Sequence, residues 1–274
     1  MPITRRRFIR TGLLGLTGVV FLDAFWVEKF FIETKEFYLG SATKESLNIK
    51  VVQISDLHLH SISYQLISLT NKINLLQPDL IVFTGDVIDK AKNVSLLKDF
   101  LKLIDKDIKK IAILGNWEYL AKVDLMELAK AYTDNNCDLL INRSIQYSFR
   151  NKTISITGID DYLCGDADFD TAVKNYKLSD YNIVLTHCPQ YSDHISTKIN
   201  KDINIDFILS GHTHGGQINL FGLVPYLPKG CGQYLKGWYN STNYKHYVSK
   251  GIGTAFLPIR FGARAEIAIF NLST

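Results

Sequence analysis

Apolar residues recur along the chain in two rhythms, and the switches between them divide it into elements. Short apolar runs read as buried strands at Ile49 to Ile54, Leu80 to Thr84, Ile111 to Leu114, Thr153 to Thr157, Asn182 to Thr186 and Ile205 to Ser210. Between them the spacing turns helical over Tyr64 to Leu76, Val94 to Ile104 and Val123 to Asn135. The first of these stops ahead of Pro78, and the second sets Leu96, Leu97, Phe100, Leu101 and Ile104 on one stripe. Val27 to Leu39 alternates aromatic and charged residues, the period of a half-buried strand, and Lys44 to Asn48 reads as a polar connection. Apolar segments at Lys245 to Ser249 and Ala265 to Leu272 close the chain. Strands alternating with helices predict an α/β layered core. Asn219 to Tyr244 is rich in Gly, Pro and aromatics without a period, and loops of that length are usually functional.

The N-terminus has its own pattern. Thr4-Arg5-Arg6-Arg7-Phe8-Ile9-Arg10 precedes a nearly uncharged run, Thr11 to Leu22, the layout of an export signal. Paired arginines before Phe-Ile-Arg resemble the twin-arginine signal, whose pathway carries folded proteins. The run alone is shorter than the ~20 residues of a spanning helix. Extending it to Val27 takes in Asp23, and no clear small-residue cleavage site follows. Residues 1–26 are therefore expected to be an export signal or a membrane anchor. The alternative is a basic tail leading into a core helix. Residues 27–274 are expected to form one catalytic domain.

Composition narrows the partners. The chain has 274 residues, 46% hydrophobic and 21% charged, which is the balance of an ordered globular protein. Its net charge of +4 is local: Arg5, Arg6, Arg7 and Arg10 are four of the 31 basic residues, leaving 27 against 27 acidic ones. No nucleic-acid partner is expected. Cys137, Cys164, Cys188 and Cys231 contain no Cys-x-x-Cys pair and read as buried free thiols.

Polar clusters stand at the ends of five of the strand runs: Asp56/His58, Asp86, Asn116, His187 and His212/His214. Side chains at one edge of an α/β sheet converge on a single crevice. Two Asp, one Asn and four His exceed what one tetrahedral zinc with an open position needs, and suit two metals sharing a carboxylate. Mixed N/O ligation favours Mn, Fe or Zn over Ca or Mg.

Asp56-x-His58, Gly85-Asp86, Gly115-Asn116, His187 and Gly211-His212-x-His214 together resemble the five-block signature of the calcineurin-like metallophosphoesterases. The twin-arginine start, Gly215-Gly216-Gln217 and the Val248 to Glu266 tail resemble the exported bacterial, YkuE-like branch of that family. The resemblance implies a four-layer α-β-β-α sandwich of two mixed sheets, with a dimetal site at the C-terminal ends of the strands. It implies that Asp56, His58, Asp86 and His214 hold one divalent metal and Asp86, Asn116, His187 and His212 the other, with Asp86 bridging. The implied activity is hydrolysis of a phosphodiester or phosphomonoester at the cell envelope, by in-line attack of a metal-bridging hydroxide.

One position departs from the family. Where the commonest fourth block has a His thought to protonate the leaving oxygen, this chain has Trp117, and an indole N–H is no useful acid near neutral pH. His60 is a candidate substitute for the missing acid. Arg260 and Arg264 are candidates for phosphate binding or for a structural ion pair. Phe221, Tyr226, Tyr234, Trp238 and Tyr239 would form either a lipid- or base-facing rim, with Trp238 as a substrate-binding candidate, or a small core within the loop. Glu118 would orient Asn116 or Trp117 or cap a helix, and His194 and His246 read as ordinary. A lipid-linked substrate suits an N-terminus directed to the membrane surface. Two rival readings are a UDP-2,3-diacylglucosamine-type pyrophosphatase of lipid A synthesis and a non-catalytic, metal-dependent binding protein of the envelope.

Overall fold

The runs that are apolar without interruption become strands covered on both faces, which is why they lack the alternation of a half-exposed strand. A computed structural model describes residues 4–28, 31–40, 48–199 and 202–273. One sheet has the order β1-β12-β2-β3-β4-β5, comprising Glu33–Leu39, Glu266–Ser273, Asn48–Ile54, Leu80–Thr84, Lys109–Ile113 and Cys137–Leu139. The other has the order β10-β11-β9-β8-β7-β6, comprising Gly237–Asn240, Lys245–Val248, Phe207–Ser210, Tyr181–Leu185, Lys152–Gly158 and Arg143–Phe149. Both are mixed: β2, β3, β4 and β5 run parallel, as do β7, β8, β9 and β11, while β12 lies antiparallel to β2 and β6 to β7.

Successive residues of each central strand serve different layers. In β2 and β3, Ile49, Val51, Leu80 and Val82 fill the core between the two sheets with Ile156, Ile183, Leu209 and Phe270. Their neighbours Val52, Ile54, Ile81 and Phe83 face helices α2 (Tyr64–Leu76), α3 (Val94–Lys102) and α5 (Leu125–Thr133). On the far face of the second sheet, Val184 and Ile208 meet Phe169 and Ala172 of α6 (Phe169–Ala172) and Tyr191 and Ile195 of α7 (Tyr191–Lys198). The result is the expected four-layer sandwich.

Several boundaries shift. The expected strand from Val27 begins only at Glu33, because Arg5–Leu22 (α1) continues through a wider turn, Asp23–Val27, and occupies Val27. The connection at Lys44 to Asn48 lies mostly outside the described residues. Of the four thiols, Cys137, Cys188 and Cys231 are buried and free as expected, but Cys164 is exposed on the loop after β7.

Candidate metal centre

The parallel strands of both sheets deliver their C-terminal ends to one edge. β2 leads into Asp56 and His58, β3 into Asp86, β4 into Asn116, β8 into His187 and β9 into His212 and His214. All seven side chains are buried. Asp56, His58, Asp86, His212 and His214 have φ between 43° and 71°, the left-handed region that residues with side chains avoid. Strain of this kind persists where the surrounding fold over-determines it, and it clusters at functional sites.

Two groups of ligand-type atoms result, Asp56/His58/His214 and Asp86/His187/His212, the atoms of each lying within 4.8 Å of one another. Asp86 Oδ2 joins them, 3.2 Å from His187 Nε2 and 3.8 Å from His58 Nε2. Across the first group, His58 Nε2 is 3.2 Å from His214 Nε2, which is 3.6 Å from Asp56 Oδ1. In the second, His187 Nδ1 donates to the Thr84 carbonyl at 2.8 Å, which turns Nε2 inward. His212 Nε2 donates to the Lys229 carbonyl at 2.6 Å and turns Nδ1 inward. These two inward nitrogens are 3.1 Å apart, and Asn116 Oδ1 is 3.2 Å from the first. Imidazole nitrogens, a carboxylate and an amide oxygen thus converge where a divalent cation would satisfy them together. The donor set fits two divalent metals sharing Asp86.

The electrostatics suit the same use. Burial raises the Asp56 carboxyl to about 6 against the pull of His187, and the Asp86 charge adds to the rise. Burial also acts on Asp86, but His187, then His58 and His212, hold that carboxyl well below the usual carboxylate range. Burial lowers His58 and takes His214 well below its usual value. Burial and the neighbouring His187 bring His212 down to about 4. These three are neutral imidazoles at neutral pH, the form a metal would need. His187 is raised despite its burial, chiefly by Asp86, so metal uptake there displaces a proton.

Neighbouring groups fix the ligands in place. Gly211 has no room for a side chain, since a Cβ would lie 1.9 Å from Ser55 Oγ and 2.4 Å from Asp56 Oδ2. The bare backbone lets the His212 N–H donate to Asp56 at 3.0 Å. Glu118 does more than cap its helix, α4 (Asn116–Leu120): besides Gly115 N at 2.9 Å it accepts from Asp86 N at 3.2 Å, Val87 N at 2.7 Å and Ile88 N at 3.2 Å. It therefore clamps the Asp86 turn to the Asn116 turn. Burial and the Asp86 charge push its carboxyl up to about 7, against those four N–H donors.

Three residues expected to act on the substrate or the leaving group do not line the cleft. His60 is exposed and pairs with Asp89 at 3.3 Å. Arg260 is fully buried behind His214, with its guanidinium donating to the carbonyls of Gly253, Ala263 and Lys250 and with Nη2 3.3 Å from His214 Nδ1. It has a backing role and no free edge for a phosphate. Trp238 packs edge-on against Phe37, Tyr247 and Phe270 at the margin of the inter-sheet core. Of the aromatic loop, Tyr226 reaches the site, whereas Tyr234 is buried.

A cleft of about 590 Å³ lies against the centre, with Asp86, Asn116, His212 and His214 in its lining. Its walls are largely apolar, built from Trp117, Leu120, Leu163, Tyr226, Phe256 and Leu257. Trp117 sits edge-on to His58 at 5.8 Å and to Phe256 at 5.6 Å, so the position that departs from the family signature does face the site.

Comparison with known proteins agrees with this geometry. The family model for calcineurin-like phosphoesterases matches residues 49–216. The metallophosphoesterase YkuE of Bacillus subtilis is 30% identical over 99% of this chain and 98% of its own length. The UDP-2,3-diacylglucosamine pyrophosphatase LpxG of Chlamydia muridarum is 27% identical over 81% of this chain and 83% of its own. Among solved structures, GAP50 of Plasmodium superposes with a TM-score of 0.53 at 13% identity, covering 82% of this chain and 81% of that one, which speaks to the fold alone.

Proposed function

Since the chain belongs to the calcineurin-like phosphoesterase family, in which two divalent metals serve phosphoester hydrolysis, we propose that its substrate is a phosphoester with an apolar leaving or retained group, cleaved at the cell envelope. The observation that carries this reading is the apolar cleft set directly against Asp86, Asn116, His212 and His214. Asp56, His58, Asp86 and His214 would hold one metal, and Asp86, Asn116, His187 and His212 the other. When bound, such metals supply Lewis acidity toward the phosphoryl oxygens and an activated water.

The protein's own part is orientation. Asp86 places one oxygen between the two groups, and Thr84 and Lys229 hold His187 and His212 in the tautomers that face inward. Trp117 offers an N–H and an apolar face where a protonating His would stand, so the leaving oxygen departs without a strong acid beside it. That favours leaving groups already stable as anions, such as a nucleoside phosphate or a phenolate.

The envelope location rests on α1 and its continuation, Arg5–Val27, a helix long and apolar enough to cross a membrane. Residues 1–26 would be a twin-arginine-type signal or an anchor, with the arginines on the cytoplasmic side. The cleft and the relationship to LpxG also support a UDP-linked diacyl sugar as a second reading. The test is the full chain, metal-stripped and reloaded with Mn, assayed on bis-(4-nitrophenyl) phosphate, 4-nitrophenyl phosphate and a UDP-sugar lipid. Mn-dependent turnover that disappears in Asp86→Ala supports the reading, and no turnover with two metals bound per chain refutes it.

A further inference from the structure

A two-residue turn beside the cleft carries an aromatic ring that the fold does not use. Leu220 and Leu223 exchange N–H···O bonds at 2.8 and 3.1 Å, and between them Phe221 and Gly222 both have positive φ, 56° and 102°. Two-residue turns with positive φ at both centres favour Asn-Gly, because a bulky residue is strained there. Phe221 nevertheless stands in the first of these places with its side chain 100% exposed. Phe256 repeats the combination on the neighbouring loop, with φ 57° and 79% exposure. Strain and water-exposed aromatic surface both cost stability; Phe256 recovers a part through its edge contact with Trp117, whereas Phe221 has no ring partner among the described residues.

The two tips form one unit, and that unit is fastened to the N-terminal helix. Gln217 donates to the Leu257 carbonyl and accepts from Ala255 N, both at 2.8 Å. Asn219 N donates to the Phe261 carbonyl at 2.7 Å. Arg260 N in turn donates to the Ala24 carbonyl at 3.0 Å, and Ala263 N to Glu28 Oε2 at 2.8 Å. Arg5–Val27 spans 23 residues. At 1.5 Å per residue that is about 35 Å, of which the part beyond the arginines, Thr11 to Val27, is about 26 Å and comes close to the ~30 Å hydrocarbon core once the arginines sit among the headgroups. Its domain-side end carries Trp26, 63% exposed, as helices do at a membrane–water interface.

We propose that the Leu220–Leu223 turn and the Phe256–Leu257 tip rest in the interfacial layer of the bilayer that the Arg5–Val27 helix enters. The cleft, walled by Phe256, Leu257, Tyr226 and Trp117, then opens onto the membrane, and the phosphoester reaches the metals while its apolar part stays among the lipids. This rests on the phosphoesterase reading for its substrate, but the membrane contact itself does not depend on turnover.

The experiment uses the full chain carrying Cys164→Ser, which removes the exposed thiol while burial shields the other three from labelling, with Phe221→Cys bearing an environment-sensitive fluorophore. The chain is reconstituted in phosphatidylcholine/phosphatidylglycerol vesicles containing doxyl-labelled lipid, and the floating fraction is measured. A label at Lys102→Cys, on the outer helical layer, is the control. Several-fold greater quenching at position 221 than at 102 supports the proposal. Equal quenching at the two positions, or a chain that does not float, overturns it. Phe221→Asn, suited to the turn, is expected to keep or raise Tm, and a marked fall would assign the ring to folding and overturn the argument. Mn-dependent hydrolysis of bis-(4-nitrophenyl) phosphate by the same preparation reports on the catalytic reading separately.

Discussion

The backbone N–H of Trp117 donates to Asp86 Oδ1 at 2.8 Å, so the helix that begins at Asn116 occupies one oxygen of the carboxylate and leaves the other, Oδ2, to face the histidines. The residue that departs from the family signature therefore still contributes its main chain to the carboxylate that would bridge the two metals. Its side chain is free to differ because the amide does the positioning.

This separation predicts how Trp117→His behaves. The backbone bond to Asp86 survives, so metal content stays unchanged, while an imidazole able to protonate a leaving oxygen enters the cleft. Turnover of alkyl phosphate esters should rise by up to ~10²-fold, with little effect on 4-nitrophenyl esters, whose leaving group needs no proton. Parallel kcat/KM measurements on the two ester classes decide it, and an equal change on both would sink the leaving-group argument.

Glu118→Gln tests the clamp behind the centre. The carboxylate accepts four backbone N–H groups, and an amide cannot satisfy all of them. Stability should fall by about 2 kcal/mol. Metal affinity should fall ~10–100-fold, because the Asp86 turn loses its tie to the Asn116 turn. Urea unfolding and a metal titration measure the two effects, and undiminished affinity would limit Glu118 to helix capping.

The central strands and the seven inward side chains are legible in the sequence for a local reason: a doubly covered strand is an apolar run, and each candidate ligand follows one within a few residues. What lay hidden depends on partners far along the chain. Glu118 meets the Asp86 turn across some thirty residues, and nothing near it announces that contact. Arg260 sits in a Gly- and Arg-containing run that suggests phosphate binding, yet its bonds are to carbonyls brought in by folding. β6, with only exposed and half-buried residues, and β10, inside the aromatic loop, are edge strands with weak apolar signals. Trp238 reads as a rim residue because the four residues of β10 carry no period of their own.

His246 supplies a pH dependence away from the metals. It is buried, its Nε2 lies 2.8 Å from Ser210 Oγ, and Nδ1 has no partner among the described residues. Burial lowers it to about 3. An unfolded His titrates near 6.5, so between about 6.5 and 3 the unfolded chain binds the extra proton and stability falls as pH falls. The slope contributed by this one group approaches about 1.4 kcal/mol per pH unit. Urea midpoints for the wild type and His246→Asn should converge as pH drops from about 7 to about 5, whereas parallel curves would show that His246 is not the source.

Metal removal tests the shared carboxylate most directly. Without cations, a protonated His187 pairs with Asp86 at 3.2 Å while His212 Nδ1 and Asn116 Oδ1 crowd it at 3.1 and 3.2 Å, and the Thr84 and Lys229 bonds hold the two rings in place. A metal that binds the folded chain alone, at about 1,000 times its Kd, stabilises it by about 4 kcal/mol. For a chain of this size that is a fall in Tm of roughly 10 °C on chelation. The variants separate the two sites. Asp56→Ala removes a ligand from one group only, so one metal per chain should persist with part of the thermal gain. Asp86→Ala takes the common ligand from both, so stoichiometry should fall below one and turnover by ~10²-fold or more. Elemental analysis beside thermal melts reads both, and two metals retained by Asp86→Ala would mean that the groups bind independently and that Oδ2 is not shared.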